Sequence, residues 1–209
     1  MELAQRLLEV DRSISQRLSE LGRTDSVTRI VVTKNHPVEL ALELFQLGVR
    51  DFGENRDQEA GPKAQELAEL TDVAGLNWHF VGQLQSNKAK RVVKYANTVH
   101  SVDRQSLLDA LVVATAPLER ELDVFLQVNL TDDENRGGVN PAELLPMAEQ
   151  VAKAPGMRLL GVMAVGGLDV DPRHEFERVA ALSDLLMREH PQANKISAGM
   201  SNDYLQALE

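Results

Sequence analysis

Seven times along this chain a short apolar run rich in β-branched residues gives way, after a turn signal, to a segment with apolar residues at helical spacing. That alternation is the strongest constraint on the fold. Strands separated by helices cannot pair as hairpins; each returns parallel to its predecessor through a right-handed crossover, with helices laid over the sheet. The strand-like runs are Arg29 to Thr33, Gly48 to Gly53, Trp78 to Gly82, Asn97 to Val102, Asp123 to Leu130, Arg158 to Met163 and Lys195 to Ser197. Asn97 to Val102 reads as the weak one and Asp123 to Leu130 as the clearest.

The helical segments carry their own end signals. Pro37 to Leu47 stops at Gly48, and Arg56 to Leu70 is rich in helix formers. Ser86 caps a basic segment through Tyr95, and Asp103 caps the next, which reaches about Thr115. Pro141 opens another at its first position, Pro172 begins a long one to about His190, and Ser201 caps the last, which runs to Glu209. One further helix precedes the first strand, with Leu3, Leu7, Ile14, Leu18 and Leu21 on one face and Gly22 as its stop. Its polar face mixes both signs of charge, which suits packing on its own domain better than a membrane or a partner.

The expected fold is therefore α/β, a (β/α)8 TIM barrel with an extra N-terminal helix, formed by residues 1–209 as a single domain. The eighth strand is lacking. We expect it to have been lost with the true C-terminus; an open doubly wound sheet is the competitor. No Gly-x-Gly-x-x-Gly follows any strand, however, and seven units exceed the flavodoxin type.

In a parallel barrel the chemistry sits just past the C-terminal ends of the strands. That rule gathers Lys34 and Asn35, Glu54 and Asn55, Gly82 and Gln85, Asp103, Asn129 and Arg136, Ala164 to Gly167, and Gly199-Met200-Ser201 at the mouth. Lys34 follows the first β-branched run directly, as a candidate nucleophile or a solvated loop lysine. Across the mouth, Ser197-Ala198-Gly199-Met200-Ser201-Asn202 has a glycine that lets an anion approach the backbone, then a serine at a helix start. An amine facing an anion cradle suggests a carbonyl compound carrying a phosphate. Pyridoxal phosphate and a sugar phosphate cleaved through a lysine imine both meet that description, and the pattern does not separate them.

Bulk properties remove other classes. A net charge of -10 and a pI near 5.0 argue against nucleic acid as a partner. With no cysteine, disulfides, thiolate metal sites and cysteine nucleophiles are excluded. A cytoplasmic protein without membrane association is expected, since no segment reads as a signal peptide or a bilayer span.

Four segments carry a resemblance. Val32-Thr33-Lys34-Asn35-His36-Pro37, Phe52-Gly53-Glu54-Asn55, Trp78 through Lys88, and Ser197 through Asp203 closely resemble the pyridoxal phosphate homeostasis protein family, a single-domain relative of the alanine racemase N-terminal barrel. The resemblance covers nearly the whole chain in order. It implies that Lys34 carries pyridoxal 5'-phosphate as an imine and that Ser201, with the backbone around Gly199 and Met200, holds the phosphate; Ser197, at the start of the same stretch, is a further cofactor-binding candidate. Asn55 and His79 match positions lining the pocket. It also implies an eighth strand with an Arg-x-Gly-Thr type segment, which this sequence does not reach.

The function expected on that basis is to hold the cofactor and buffer or deliver it without turnover, as a monomer, with recipient apo-enzymes as the candidate partners. The alternative is a lysine-imine enzyme, either an amino-acid racemase or an aldolase; a third reading leaves Lys34 idle and docks a partner on the basic helix. His79 is either a hydrogen-bonded core residue or a ligand contact. Asn87, Lys88, Lys90, Arg91 and Lys94 read as a solvated face, with an anion or partner patch as the minority reading, Asp132-Asp133-Glu134 reads as an exposed acidic loop, and His174-Glu175 lacks zinc-site spacing.

Overall fold

In a computed structural model that describes residues 2–131, 137–166 and 171–209, the alternation becomes seven parallel strands in chain order. The elements are α1 (Leu3–Glu20), β1 (Val31–Val32), α2 (Val38–Gln46), β2 (Asp51–Glu54), α3 (Asp57–Leu70), β3 (Asn77–Phe80), α4 (Ala89–Val92) and β4 (Thr98–Val102). There follow α5 (Gln105–Thr115), β5 (Leu122–Gln127), α6 (Leu144–Lys153), β6 (Met157–Met163), α7 (Pro172–Glu189) and β7 (Lys195–Ser197). Each strand pairs only with its neighbours in sequence, as crossover connections require.

Alternation along each strand sorts the side chains into two layers. Phe52 and Trp78, opposite one another in register with ring centroids 5.5 Å apart, face outward and pack with Val38, Ala41 and Leu44 of α2 and Leu67 of α3. A larger cluster under α4 to α7 contains Val99, Leu111, Val124, Leu126, Leu144 and Val162. The strand that reads as weak, β4, is buried along its whole length, so its short apolar run is set by cover on both faces.

The inner layer is polar, and it shows that the sheet curls. Ser197 on β7 hydrogen-bonds His100 on β4, three strands away in sheet order. The seam between β1 and β7 is bridged by α1. Its Ser13 hydroxyl lies 2.8 Å from that of Tyr204, Arg17 pairs with Glu209, and the nearby Arg23 donates to the Leu208 carbonyl at 2.7 Å. Among the described residues no helix is long and apolar enough to cross a membrane.

Several helix starts differ from expectation by a residue or a turn. The position before α5 belongs to Arg104, and Asp103 instead holds the Arg104 guanidinium at 2.6 Å. Ser86 and Pro141 open 3-10 turns ahead of α4 and α6; Ser86 makes no capping bond, whereas the side chain of Asn140 accepts from the Ala142 amide. Residues 201–208 form successive turns, not a regular helix, and Met200 occupies the cap position. Its carbonyl accepts from Tyr204, while its amide donates to the Asp203 carboxylate at 2.5 Å. The Asp203 side chain thus reaches back to the amide of the cap residue, and Ser201 lies one residue inside the turn.

Candidate functional site

Lys34 occupies a turn that is fastened on both flanks. The His36 amide donates to the Thr33 carbonyl at 3.1 Å, closing a four-residue turn. Asn35 in its third position has φ 63°, the left-handed conformation that a type II turn needs there and that asparagine tolerates. On one side, the Thr33 hydroxyl donates to Glu54 Oε1 at 2.7 Å, and Lys63 Nζ donates to the same oxygen at 2.5 Å and to the Thr33 carbonyl at 2.8 Å. On the other, the Asn35 amide donates to Glu59 of α3 at 3.1 Å. Between these clamps the Lys34 side chain is exposed, with no ion pair or hydrogen bond to any described residue. The backbone is fixed and the amine is free.

Glu54 was expected at the mouth and is not there. As the last residue of β2 it turns outward beneath α3, fully buried, where Lys63 meets it. Asn55 follows it half-buried, and its Oδ1 is sealed from solvent with no donor. Gly82, after β3, lies so close that a side chain there would come within 2.1 Å of the Asn55 carbonyl. Only glycine lets these two loops meet.

Beyond β7, Gly199 takes a left-handed backbone (φ 86°) and turns the chain over Tyr204 and Ala207. With Met200 at the cap, the Ser201 hydroxyl and the amides of Ser201 and Asn202 have no acceptor among the described residues, and Ser201 is exposed. Lys34 and this loop therefore follow the two outermost strands and flank the seam.

His79 and Ser197 are brought together by a residue the sequence reading passed over. His79 Nε2 lies 3.1 Å from Asp51 Oδ1 and its Nδ1 2.9 Å from His100 Nε2; His100 Nδ1 is 2.7 Å from Ser197 Oγ. His100 stacks on Phe125 at 4.6 Å. Burial holds both imidazoles below the usual histidine range, His79 against a partial opposing pull from Asp51 and His100 down to about 3. The alternation Thr98-Val99-His100 within β4 was the available signal for His100. For Lys63 it was the spacing of Ala60, Lys63, Ala64 and Leu67, which share the buried face of α3.

Two cavities lie elsewhere. One, of about 280 Å³, opens at the N-terminal ends of the strands between Asn77, Asn97, Arg120 and the Asp123–Arg158 pair. The other, of about 180 Å³, lies beyond β5 and β6 and is lined by Asn129, Thr131 and Val165. Neither involves Lys34 or Ser201. The clustered basic residues near α4 include Arg91, which pairs with buried Asp57 at 3.0 Å. Arg136, Gly167 and Asp132-Asp133-Glu134 lie outside the described residues.

Compared with known proteins, the chain matches the sequence profile of the alanine racemase N-terminal domain over residues 15–209. A protein of Vibrio alginolyticus named pyridoxal phosphate homeostasis protein is 33% identical over 211 residues, which cover 99% of this chain and 91% of that one. Its namesake in Mycobacterium tuberculosis is 36% identical over 218 residues, 97% of this chain and 84% of that one. Among solved structures, PipY of Synechococcus elongatus with PLP bound superposes with a TM-score of 0.78 at 33% identity, covering 93% of this chain and 92% of PipY.

Proposed function

Because this chain belongs to the alanine racemase N-terminal domain family and, within it, to the pyridoxal phosphate homeostasis proteins, we propose that it binds pyridoxal 5'-phosphate through Lys34 and buffers or delivers it. When bound, that cofactor supplies an aldehyde that a lysine amine takes up as an imine, and a phosphate that requires hydrogen-bond donors. The observation that carries the reading is Lys34 itself, an unpartnered amine on a backbone clamped by Glu54, Lys63 and Glu59.

The surrounding residues fit the group. The unused amides of Ser201 and Asn202 and the Ser201 hydroxyl are the donors a phosphate needs, and Gly199 and Met200 bring them round the turn. The buried, donorless Oδ1 of Asn55 calls for a hydroxyl or N–H from a ligand. His79 and Ser197 form a polar floor whose groups satisfy one another.

Holding without turnover is part of the proposal. A racemase needs a second acid/base group over the opposite face of the bound substrate. Neither tyrosine offers one: the Tyr204 hydroxyl is tied to Ser13, and that of Tyr95 is buried in the helix layer, where burial and the Asp57 and Glu54 carboxylates push it well above its usual range. We place the protein in the cytoplasm as a single-domain monomer from which recipient apo-enzymes draw cofactor.

Adding pyridoxal 5'-phosphate, following the imine absorbance band, trapping with borohydride and locating the label by peptide mass spectrometry tests the assignment. The label is expected on Lys34 and absent from Lys34→Ala; a label elsewhere, or none, refutes it. Production of D-alanine from L-alanine at more than a trace would overturn the non-catalytic part.

A further inference from the structure

The polar floor has a direction. Asp51 Oδ1 already accepts from the Asn77 side-chain amide at 3.1 Å, and a carboxylate has no proton to give. His79 Nε2, 3.1 Å away, must therefore donate to it. A neutral imidazole carries one N–H, so His79 Nδ1 is left as an acceptor, and the group facing it, His100 Nε2 at 2.9 Å, must donate. His100 Nδ1 is then an acceptor in turn, and the remaining proton across the 2.7 Å contact belongs to Ser197. Burial disfavours the cationic form of both rings, so the chain is read with each imidazole carrying one proton. The Phe125 stack, with ring planes 19° apart, holds the His100 ring so that Nδ1 stays on Ser197.

We propose that His100 is a positioning residue that commits the Ser197 proton inward, so that Ser197 meets a ligand in the barrel mouth only as a hydrogen-bond acceptor. This rests on the cofactor reading of the mouth and deepens it. Ser197 recognises a ligand hydroxyl or a protonated ring nitrogen and takes no part in gripping phosphate, whose oxygens also only accept. The phosphate is left to Ser201 and the free amides beside it. Asp51, on the first residue of β2, thereby sets the chemistry presented at the opposite end of β7.

The test has two arms. In protein labelled with 15N-histidine and without added cofactor, long-range 15N–1H correlations read each tautomer. His79 and His100 are both expected as Nε2–H with unprotonated Nδ1, and Ser197→Ala should move the His100 Nδ1 resonance while leaving the His79 tautomer intact. A δ tautomer or a cationic ring at either site overturns the chain, whatever the cofactor does. The second arm compares pyridoxal 5'-phosphate with phosphate-free pyridoxal by equilibrium titration of the unaltered protein, Ser197→Ala and Ser197→Thr. Ser197→Ala is expected to weaken both ligands by the same factor, roughly five- to tenfold, and Ser197→Thr to restore both. A loss confined to the phosphorylated ligand, or no loss for either, overturns the acceptor role. Failure of the unaltered protein to bind would refute the cofactor site alone, because the tautomers are read without it.

Discussion

Lys63→Met isolates the clamp beneath Lys34. The Lys63 and Glu54 side chains are 6% and 0% exposed, so their pair is not a surface contact of marginal value. Methionine fills much the same volume as the lysine stem but removes both donations. The Glu54 carboxylate would keep a single donor, the Thr33 hydroxyl; its Oε2 has none even now, and the Thr33 carbonyl would lose the lysine. Stripping one partner from a buried pair costs about 3–5 kcal/mol. Urea unfolding followed by circular dichroism should therefore show a midpoint drop with an unchanged slope. The double variant Glu54→Met/Lys63→Met removes both charges and should recover most of the loss, ending within about 1–2 kcal/mol of the parent. Because Thr33 adjoins Lys34, borohydride trapping should also fall in the single variant under conditions where it remains folded. A single-variant loss below about 1 kcal/mol, or a double variant no better than the single, would refute the buried-clamp reasoning.

Other outcomes follow from individual contacts. Asn55→Ala removes a buried oxygen that has no donor, so ligand-free stability should change by less than about 1 kcal/mol while affinity for pyridoxal 5'-phosphate drops about tenfold; a large loss of stability would show that Asn55 is structural. Gly82→Ala puts a methyl 2.1 Å from backbone that cannot yield, and thermal unfolding should reveal a loss of about 1–3 kcal/mol. Acid should destabilise the fold through His100. Its folded-state value, about 3, lies below the ordinary 6.5, so the unfolded chain binds the proton first; stability is whole above about pH 6.5 and declines as pH falls toward the folded value. Between about pH 7 and pH 5, unaltered protein should lose about 2 kcal/mol more than His100→Gln by urea titration, and parallel curves would contradict the assignment.

What could be read in advance was what periodicity and local chemistry control. That the strands run parallel follows from alternation, and Lys34 was identifiable because its place after β1 depends only on where a β-branched run ends. Ser201 reads as a cap by residue type, but the turn starts one residue earlier, at Met200, whose carbonyl accepts from Tyr204 and whose amide donates to Asp203, and a boundary shift of one residue is beyond what residue type fixes. Glu54 was misread because the last residue of a strand turns in or out by parity, and one residue's uncertainty in the strand end reverses it. The histidine chain was out of reach for another reason: Asp51, His79, His100 and Ser197 lie on four strands, and Ser197 reaches His100 only once the sheet curls.

The contacts that bridge the seam also bear on how the molecule is made. Ser13 and Tyr204 are 191 residues apart in sequence, and Arg17 and Glu209 are 192 apart. Helix α1 thus waits for partners that follow the last strand of the sheet, and each strand from β2 to β7 can pair with its immediate predecessor before α1 finds Tyr204. Contacts of such long range are slow to form. Closure of the seam should accordingly be a late step in folding, reached from an open sheet with α1 docked at one edge only.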